Sequence, residues 1–305
     1  MEKLKINFVD MWPNFQKDDN YFYHLLSQEY KVIIEENGEP DILFHSYDYS
    51  NLQEHRNYDK FKNTKKVYYT GECNRPNFNE THFAFTFDYS DDRNYRLPLW
   101  AILINWFNVP FNYHRDQSYL HDSHLMLNKH LVKYEKTKFC SFISSNPKTL
   151  PGCPLGIRLD FVPKLHNRKF VNCAGRLYNN TPPIQGRGDQ IHKIDFLKDY
   201  KFNVSFESTS YDGYVTEKII HPMFVNTIPI YWGSKRVGED FNKKSFLCYH
   251  DYNSEEEFLD MIMEVDSNNT LYESILNEPW FNNNQFPESI MPSSVMNFFN
   301  KKILK

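Results

Sequence analysis

Short apolar runs alternate with helical patterns along most of the chain. In the first third, Asp19–Glu29 begins with an acidic residue and carries apolar positions near helical spacing. The strands predicted around this helix are Lys5–Val9, Lys31–Ile34, Asp41–Phe44, Lys66–Tyr69 and His82–Phe87. This rhythm of strand and helix predicts a parallel sheet covered by helices.

A second series of the same kind follows a polar stretch at Tyr134–Lys138. Its predicted strands are Lys138–Ile143, Phe170–Asn172, Phe202–Phe206, Thr227–Trp232 and Ser245–Tyr249. The helices predicted here are Gly156–Leu165, Ile191–Tyr200 and Ser254–Val265, and before the boundary Leu125–Val132. At 305 residues the chain is long enough for two cores. We therefore predict α/β domains at residues 1–137 and 138–275, followed by a tail at residues 276–305 that packs back on the body.

The end of the chain has an amphipathic pattern. Pro292–Lys305 combines apolar residues with lysines and predicts a helix. We favour packing of its apolar face against the body. The alternative is peripheral membrane contact through that face and the lysines.

Polar residues gather in one strand-to-helix loop of the second series. The strand Phe202–Phe206 leads into the polar segment Glu207–Gly213, after which Tyr214–Lys218 opens a helical pattern and Thr227–Trp232 supplies the next strand. In doubly wound sheets such loops hold ligands at the carboxyl ends of the strands. A helix start that offers backbone N–H groups suits the diphosphate of a nucleotide.

The net charge and the cysteines limit which partners and which cellular compartment we expect for this protein. The net charge of −4 excludes a global positive field for nucleic acid, so a site for an anionic nucleotide must be locally basic. An odd number of dispersed cysteines without CxxC spacing favours reduced thiols in a cytoplasmic protein. These cysteines are Cys73, Cys140, Cys153, Cys173 and Cys248. The first residues lack the apolar core of a signal peptide, and no run approaches the ~18 residues of a membrane span.

Three segments resemble the α1,3/4-fucosyltransferases of glycosyltransferase family 10, particularly the bacterial members. The longest is Gly213–Ile220 (GYVTEKII) followed by Thr227–Ser234 (TIPIYWGS). Tyr68–Glu72 (YYTGE) with Pro76–Phe78 resembles the acceptor-side motif of the family, and Phe142–Pro147 (FISSNP) resembles its interdomain motif. The resemblance implies two Rossmann-like domains that face a central cleft, the GT-B architecture. It also implies transfer of fucose from GDP-fucose.

Glu72 is the candidate catalytic base. It lies in the turn that follows the strand Lys66–Tyr69, and the glutamate of the corresponding family motif is the proposed base. A positioned carboxylate can accept the proton of an acceptor hydroxyl. Composition alone would favour an exposed loop residue at this position.

Arg158 and Lys218 are the candidates for neutralising the diphosphate. A lysine in the first turn of a helix gains nothing from the helix dipole, so Lys218 indicates an anion at the same helix end. Arg158 matches, by resemblance, the family arginine that binds donor phosphate, and a guanidinium can bind phosphate oxygens bidentately. The alternative for Arg158 is a solvated helix residue.

The remaining candidates for donor binding surround these cations. Glu217 suits the ribose hydroxyls, Tyr214 resembles the family tyrosine of the donor site, and Thr216 is a capping residue. Glu207 and Ser208 stand where most relatives have Glu-Asn, so the shorter Ser208 side chain puts donor affinity in question. Weaker candidates come from the interdomain motif: Ser144, Ser145 and Asn146.

Metal chemistry is not required by this pattern. There is no Asp-x-Asp triplet, which argues against a nucleotide held through a divalent cation. His121 and His124 have helical spacing, but no further ligands follow, and we interpret them as a surface loop. Gly186–Asp189 is neither a P-loop nor a dinucleotide fingerprint.

The sequence therefore predicts an inverting α1,3-fucosyltransferase without organic cofactor or metal. The expected acceptor is a GlcNAc or Glc hydroxyl of a lactosamine-type oligosaccharide or glycolipid, as in Lewis antigens and lipopolysaccharide. The expected location is cytoplasmic, at the inner face of a membrane. Two alternatives are transfer of another GDP-linked sugar and a catalytically silent glycan-binding protein on the same fold.

Overall fold

The structure is a computed structural model that describes residues 1–46, 57–110, 120–145, 156–184 and 190–305. The chain forms two compact units, Met1–Asp116 with Glu288–Lys305 (unit 1) and Gln117–Pro287 (unit 2). Each unit contains its own parallel sheet with covering helices. The predicted class of two parallel-sheet α/β domains is therefore confirmed.

The sheet of unit 1 has six strands in the order β2-β1-β3-β4-β5-β6, all parallel. They are β1 (Lys3–Val9), β2 (Lys31–Ile34), β3 (Ile42–His45), β4 (Lys65–Tyr69), β5 (Phe83–Thr86) and β6 (Asn94–Arg96). Every residue of β3 is buried, as expected of a strand inside a parallel sheet that is covered on both faces.

The sheet of unit 2 has five parallel strands in the order β11-β10-β9-β7-β8. They are β7 (Lys138–Phe142), β8 (Val171–Cys173), β9 (Tyr200–Phe206), β10 (Ile228–Trp232) and β11 (Leu247–Cys248). β9 and β10 are almost fully buried. Their continuous apolar runs are typical of central strands, which explains why the sequence identified them so clearly.

The α-helices described for the two units vary from one turn to more than three. They are α1 (Tyr21–Leu26), α2 (Leu99–Ile102), α3 (Ser123–Leu127), α4 (Gly156–Arg168), α5 (Gln190–Leu197), α6 (Glu217–Phe224), α7 (Glu255–Ser267), α8 (Asn269–Asn277) and α9 (Pro292–Phe298). Within the described ranges, no helix has both the length and the apolar composition that crossing a bilayer demands.

Several element boundaries differ from the sequence-based prediction. α6 begins at Glu217 rather than near Tyr214, because Thr216 is extended and its side chain caps the helix by accepting a hydrogen bond from the Lys218 N–H. The predicted strand Ser245–Tyr249 is reduced to β11, which pairs with β10 over two residues. α8 was not predicted.

Two helices end earlier in the structure than the sequence predicted. The helix expected at Ile191–Tyr200 ends at Leu197, and Tyr200 already begins β9. The helix expected at Leu125–Val132 is divided into α3 and a 3-10 turn at Lys129–Leu131. In both cases apolar residues of the next element continued the helical pattern.

The ends of the units also differ from the expected ranges. The first unit ends at residue 116 instead of 137, and residues 276–287 belong to unit 2. Residues 288–305 belong to unit 1, where the ring of Phe299 stacks on that of Phe85 at 5.0 Å. Val295, Phe299 and Ile303 are fully buried. The apolar face of the last helix is therefore covered by protein.

Unit 1 contains a buried histidine whose protonation should make the free energy of unfolding of this unit depend on pH. The ring of His45 is tilted against that of Tyr58, with centroids 4.5 Å apart, and meets that of Tyr68 in a T-shaped contact at 5.5 Å. Neither ring nitrogen has a hydrogen-bond partner among the residues that the structure describes. Burial, assisted by the charge of Lys66, lowers the pKa of His45 from 6.5 to about 4.

We expect His45→Phe to flatten the acid-induced loss of stability of unit 1. In the unfolded chain His45 is protonated below pH 6.5, whereas in the folded chain it stays neutral until about pH 4. The free energy of unfolding therefore falls as the pH is lowered from 6.5 to about 4. At pH 4.5 the histidine accounts for about 2.5 kcal/mol, at ~1.4 kcal/mol per pKa unit. Denaturant unfolding at pH 7.5 and 4.5 measures this difference. The exposed His124→Phe serves as control, and identical pH slopes for wild type and His45→Phe would contradict the prediction.

Candidate functional site

The direction of the chain reverses between two neighbouring strands of unit 2. From β7 the chain continues through α4 to β8 on one side, whereas β9 continues through α6 to β10 on the other. The carboxyl ends of β7 and β9 therefore adjoin at a topological switch point. In open α/β sheets this is where ligands bind.

Glu207 directly follows β9 and is completely buried. Its Oε1 accepts a hydrogen bond from the backbone N–H of Thr216 at 2.7 Å, and its Oε2 accepts one from the Thr216 hydroxyl at 2.7 Å. The Nζ of Lys218 lies 3.3 Å from the same Oε2. Burial raises the pKa of Glu207, while Lys218 and the hydrogen bonds from Thr216 act to lower it.

Lys218 contacts two carboxylates and a hydroxyl at the start of α6. Besides Glu207, its Nζ lies 3.3 Å from Glu217 Oε1 and donates to Thr216 Oγ1 at 3.0 Å. Burial acts to raise the pKa of Glu217, but the positive charges of Lys218 and Lys193 outweigh it and lower the value to about 2. Glu217 is therefore ionised at neutral pH, and its charge helps to hold the lysine.

Arg158 comes from α4 and is 7% exposed. Burial lowers the pKa of its guanidinium, and the charges of Glu207 and Tyr214 act in the opposite direction. Arginine nevertheless keeps its charge in proteins. Arg158 is therefore close enough to Glu207 for their charges to interact, whereas Lys218 contacts this carboxylate directly.

The loop between β9 and α6 is held by a set of short hydrogen bonds. The hydroxyls of Ser208 and Tyr214 are 3.3 Å apart, and Tyr214 is buried. The N–H of Gly213, which has a φ of 86°, donates to Ser234 Oγ. A residue other than glycine would be strained in this conformation. The predicted donor residues Ser208, Tyr214, Thr216, Glu217 and Lys218 therefore form one continuous cluster.

The interdomain motif follows β7. The carbonyl oxygen of Ser144 accepts from the N–H of Leu177, and Ser145 Oγ accepts from the N–H of Arg176. A Cβ on Gly175 would lie 2.1 Å from the Ser144 oxygen, so this approach requires glycine. The third candidate of this motif, Asn146, lies outside the described residues.

A cavity of about 60 Å³ opens between the ends of β7 and β9 and the first turns of α6. Ser144, Glu217 and Lys218 line it, together with Lys193 and His221, which the sequence analysis did not identify. His221 follows Glu217 by four residues on α6, so helical spacing alone would have placed the two on one face. Lys193 belongs to α5, and no local pattern marked it.

One interpretation of the sequence proved wrong. His121 does not belong to a surface loop but is completely buried, with its ring 5.1 Å from that of His221 and 4.7 Å from that of Phe224. Burial lowers the pKa of His221 to about 3, so this side chain is neutral. His124 is exposed, as expected.

Glu72 lies in unit 1, beyond the carboxyl end of β4. Its side chain is exposed, and its N–H donates to the Thr70 hydroxyl at 3.0 Å, while its carbonyl accepts from the Asn74 N–H. A Cβ on Gly71 would lie 2.9 Å from the Leu99 side chain, so the turn packs closely on α2. The structure thus presents the carboxylate to solvent on a tightly built turn.

Taken by itself, the site in unit 2 suits a small anion carried on a polar ligand. Arg158 and Lys218 supply fixed positive charge, and the backbone N–H groups at the start of α6 add to it. Glu217 offers acceptors for neighbouring hydroxyls. This combination matches the requirements of a nucleoside diphosphate.

Comparison with known proteins agrees with this assignment. The family model for the C-terminal part of glycosyltransferase family 10 (fucosyltransferase) matches residues 133–291. The model for the N-terminal domain of α-(1,3)-fucosyltransferase FucT matches residues 6–103. The α-(1,3)-fucosyltransferase FucT of Helicobacter pylori is 34% identical over 301 residues, which cover 90% of this chain and 60% of that protein. A putative fucosyltransferase of Acanthamoeba polyphaga mimivirus is 32% identical over 158 residues, 50% of this chain and 25% of that protein.

Solved structures extend the similarity to the whole chain. A crystal structure of α1,3-fucosyltransferase with GDP-fucose superposes with a TM-score of 0.74 at 29% identity, over 100% of this chain and 92% of that one. A structure with GDP gives a TM-score of 0.72 at 29% identity, over 100% and 91%. The two parallel-sheet units are consistent with the GT-B type of fold. The chain spans about three fifths of the H. pylori protein. With both family models matched in order, the chain belongs to glycosyltransferase family 10, the fucosyltransferase family.

Proposed function

We propose that this protein is an inverting α1,3-fucosyltransferase that uses GDP-β-L-fucose. The observation that carries this proposal is the pair of cations at the switch point of unit 2, where Lys218 contacts the buried Glu207 and the charge of Glu207 also acts on Arg158. The family of the chain and its similarity to a structure with GDP-fucose agree with it.

In the proposed reaction a hydroxyl oxygen of the acceptor attacks the anomeric carbon of fucose. The bond between that carbon and the β-phosphate oxygen breaks, and its electron pair leaves with GDP. The acceptor proton passes to the carboxylate of Glu72. Attack opposite the leaving group converts the β-linked donor into an α-linked product.

The donor residues have separate tasks in this proposal. Arg158 and Lys218 stabilise the charge that develops on the departing diphosphate. Glu217 binds the ribose hydroxyls, and Tyr214 with Ser208 contacts the phosphate or the fucose. Ser144 and Ser145 border the nucleotide. Fixed protein cations take the place that a divalent metal holds in other glycosyltransferases, so we propose no metal or organic cofactor.

The proposed acceptor is a GlcNAc or Glc hydroxyl of a lactosamine-type oligosaccharide or glycolipid. A Lewis-type or lipopolysaccharide product stays a prediction that rests on the resemblance. A cytoplasmic location stays a prediction that rests on the number and spacing of the cysteines. Any membrane contact of Pro292–Lys305 would have to use the lysines that follow α9, because most of the apolar side chains of this segment are buried.

One assay tests the proposal. The protein is incubated with GDP-fucose and lactose, lactosamine or type 1 chain acceptors, and the linkage is read by NMR. Formation of an α1,3-fucoside is the expected result. Parallel incubations with GDP-mannose address the use of another GDP-linked sugar. A protein that binds glycans but consumes neither donor would contradict the proposed activity.

A further inference from the structure

Glu207 cannot act on the donor in the way the sequence suggested. Its side chain has no exposed surface, and both oxygens already accept hydrogen bonds from Thr216. Gly233 closes the other side, since a Cβ there would lie 2.6 Å from Glu207 Cγ. A ligand would reach this carboxylate only by breaking the cap of α6. The expectation of a direct donor contact is therefore replaced by a different role.

The contacts of Glu207 lead to Lys218 by two routes. One is direct, from Oε2 to the lysine Nζ at 3.3 Å. The other passes through Thr216, whose hydroxyl donates to Glu207 at 2.7 Å and accepts from Lys218 Nζ at 3.0 Å. The three side chains form a closed triangle at the helix start. An ammonium has three donors: one can hold the carboxylate of Glu207 and one the hydroxyl of Thr216. The third faces Glu217 Oε1 at 3.3 Å and would pass to a phosphate oxygen when the ligand binds.

A buried carboxylate beside an anion site needs an explanation. Its negative charge repels a diphosphate, and the repulsion is stronger in a buried environment than in water. The negative charge of Glu207 can still favour anion binding if it fixes a cation of the site in place. Lysine has a long and flexible side chain, and fixing it in the bound conformation before the ligand arrives increases affinity.

We propose that Glu207 is a positioning residue that holds the ammonium of Lys218, directly and through Thr216, where a nucleoside diphosphate binds. This inference rests on the donor role that we proposed for Lys218. The proposal gives the two glutamates of the site, Glu207 and Glu217, different roles. Glu217 faces the cavity and contacts the ligand, whereas Glu207 acts only through the lysine.

A double-mutant cycle on GDP binding tests this role. In Glu207→Gln the amide oxygen can accept from the Thr216 N–H and the amide NH₂ can donate to its hydroxyl, so the shape is kept and the charge is lost. Calorimetric titration with GDP then measures the cost of Lys218→Ala in both backgrounds. We expect about a tenfold loss of affinity in the wild-type background and less than about threefold beside Glu207→Gln, because the lysine is no longer held in place.

The control is Glu239→Gln, which removes an exposed carboxylate paired with Arg236. Beside this variant, Lys218→Ala should retain its full cost. Thermal unfolding verifies that each variant is folded. If Glu207→Gln does not fold, Thr216→Val replaces it, because it removes the bridging hydroxyl and should likewise reduce the cost of Lys218→Ala.

Each outcome decides a particular claim. Equal costs of Lys218→Ala in both backgrounds overturn the positioning role but leave the proposed transferase activity intact. No cost in the wild-type background overturns the phosphate role of Lys218 and the positioning role with it. A wild type that binds GDP but does not transfer fucose contradicts the proposed function, and the binding cycle still decides the role of Glu207.

Discussion

Glu72→Gln is expected to lower the kcat for fucose transfer by about 10²–10⁴-fold, the range typical of a lost general base. The amide preserves the size of the side chain but cannot accept the acceptor proton. Because Glu72 is exposed on a turn that its own backbone hydrogen bonds maintain, the substitution should not disturb the fold. Steady-state transfer from GDP-fucose to lactosamine measures the effect.

The affinity for GDP separates loss of the base from loss of the donor site. It should be the same in wild type and Glu72→Gln, since the proposed donor residues belong to unit 2. Glu36→Gln is the matched control, because Glu36 is an exposed glutamate of unit 1 whose ion pair with Lys17 lies at the surface. A Glu72→Gln protein that keeps its full rate would remove Glu72 from the mechanism.

Arg158→Ala should reduce kcat/KM for GDP-fucose by about 10²–10³-fold, comparable to the loss of one preorganised donor to a developing negative charge. The guanidinium is fixed by burial beside Glu207 and Tyr214, so no reorganisation is needed when the diphosphate departs. Arg158→Lys should recover part of the loss, because it keeps the charge without the bidentate geometry.

A second arginine of the same helix provides the control. Arg168 ends α4, and its guanidinium pairs with Glu256 and Asp260 near the surface. Arg168→Ala should therefore leave transfer unchanged. Thermal unfolding of the Arg158 variants distinguishes a lost phosphate contact from a disturbed core. If a folded Arg158→Ala transfers fucose at the wild-type rate, this arginine does not bind the diphosphate.

Several strands of the two sheets were readily predicted from the sequence. β9 and β10 were predicted to within two residues, because buried parallel strands are continuous apolar runs between polar segments. β2, which is a partly exposed edge strand, was also predicted with its observed bounds. Helix ends were less accurate, since apolar residues of the next strand prolong a helical pattern. Thr216 was expected to be a capping residue, but only the backbone conformation shows that α6 begins at Glu217 and not near Tyr214.

Most of the residues that the structure brings together at the start of α6 were also grouped by the sequence, for a simple reason, while their role in donor binding stays a prediction. Ser208, Tyr214, Glu217 and Lys218 lie within eleven consecutive residues of one strand-loop-helix unit, so local sequence already brings them together. Lys193 and His221 were missed, although both line the same cavity. Lys193 comes from another helix, whereas His221 follows Glu217 by four residues, a spacing that would have placed it on the same face of α6.

The sequence by itself determined the two α/β series, the family and the segment that carries the site, because apolar periodicity and long motifs are properties of neighbouring residues. Only the tertiary structure decided where each carboxylate lies and which groups it contacts. Glu207 and Glu217 are both glutamates of the same motif, yet one is sealed against Thr216 and the other lines the cavity. That difference depends on how β9, β10 and α6 pack around each side chain. Burial and the partners across the sheet therefore separate a positioning residue from a ligand contact.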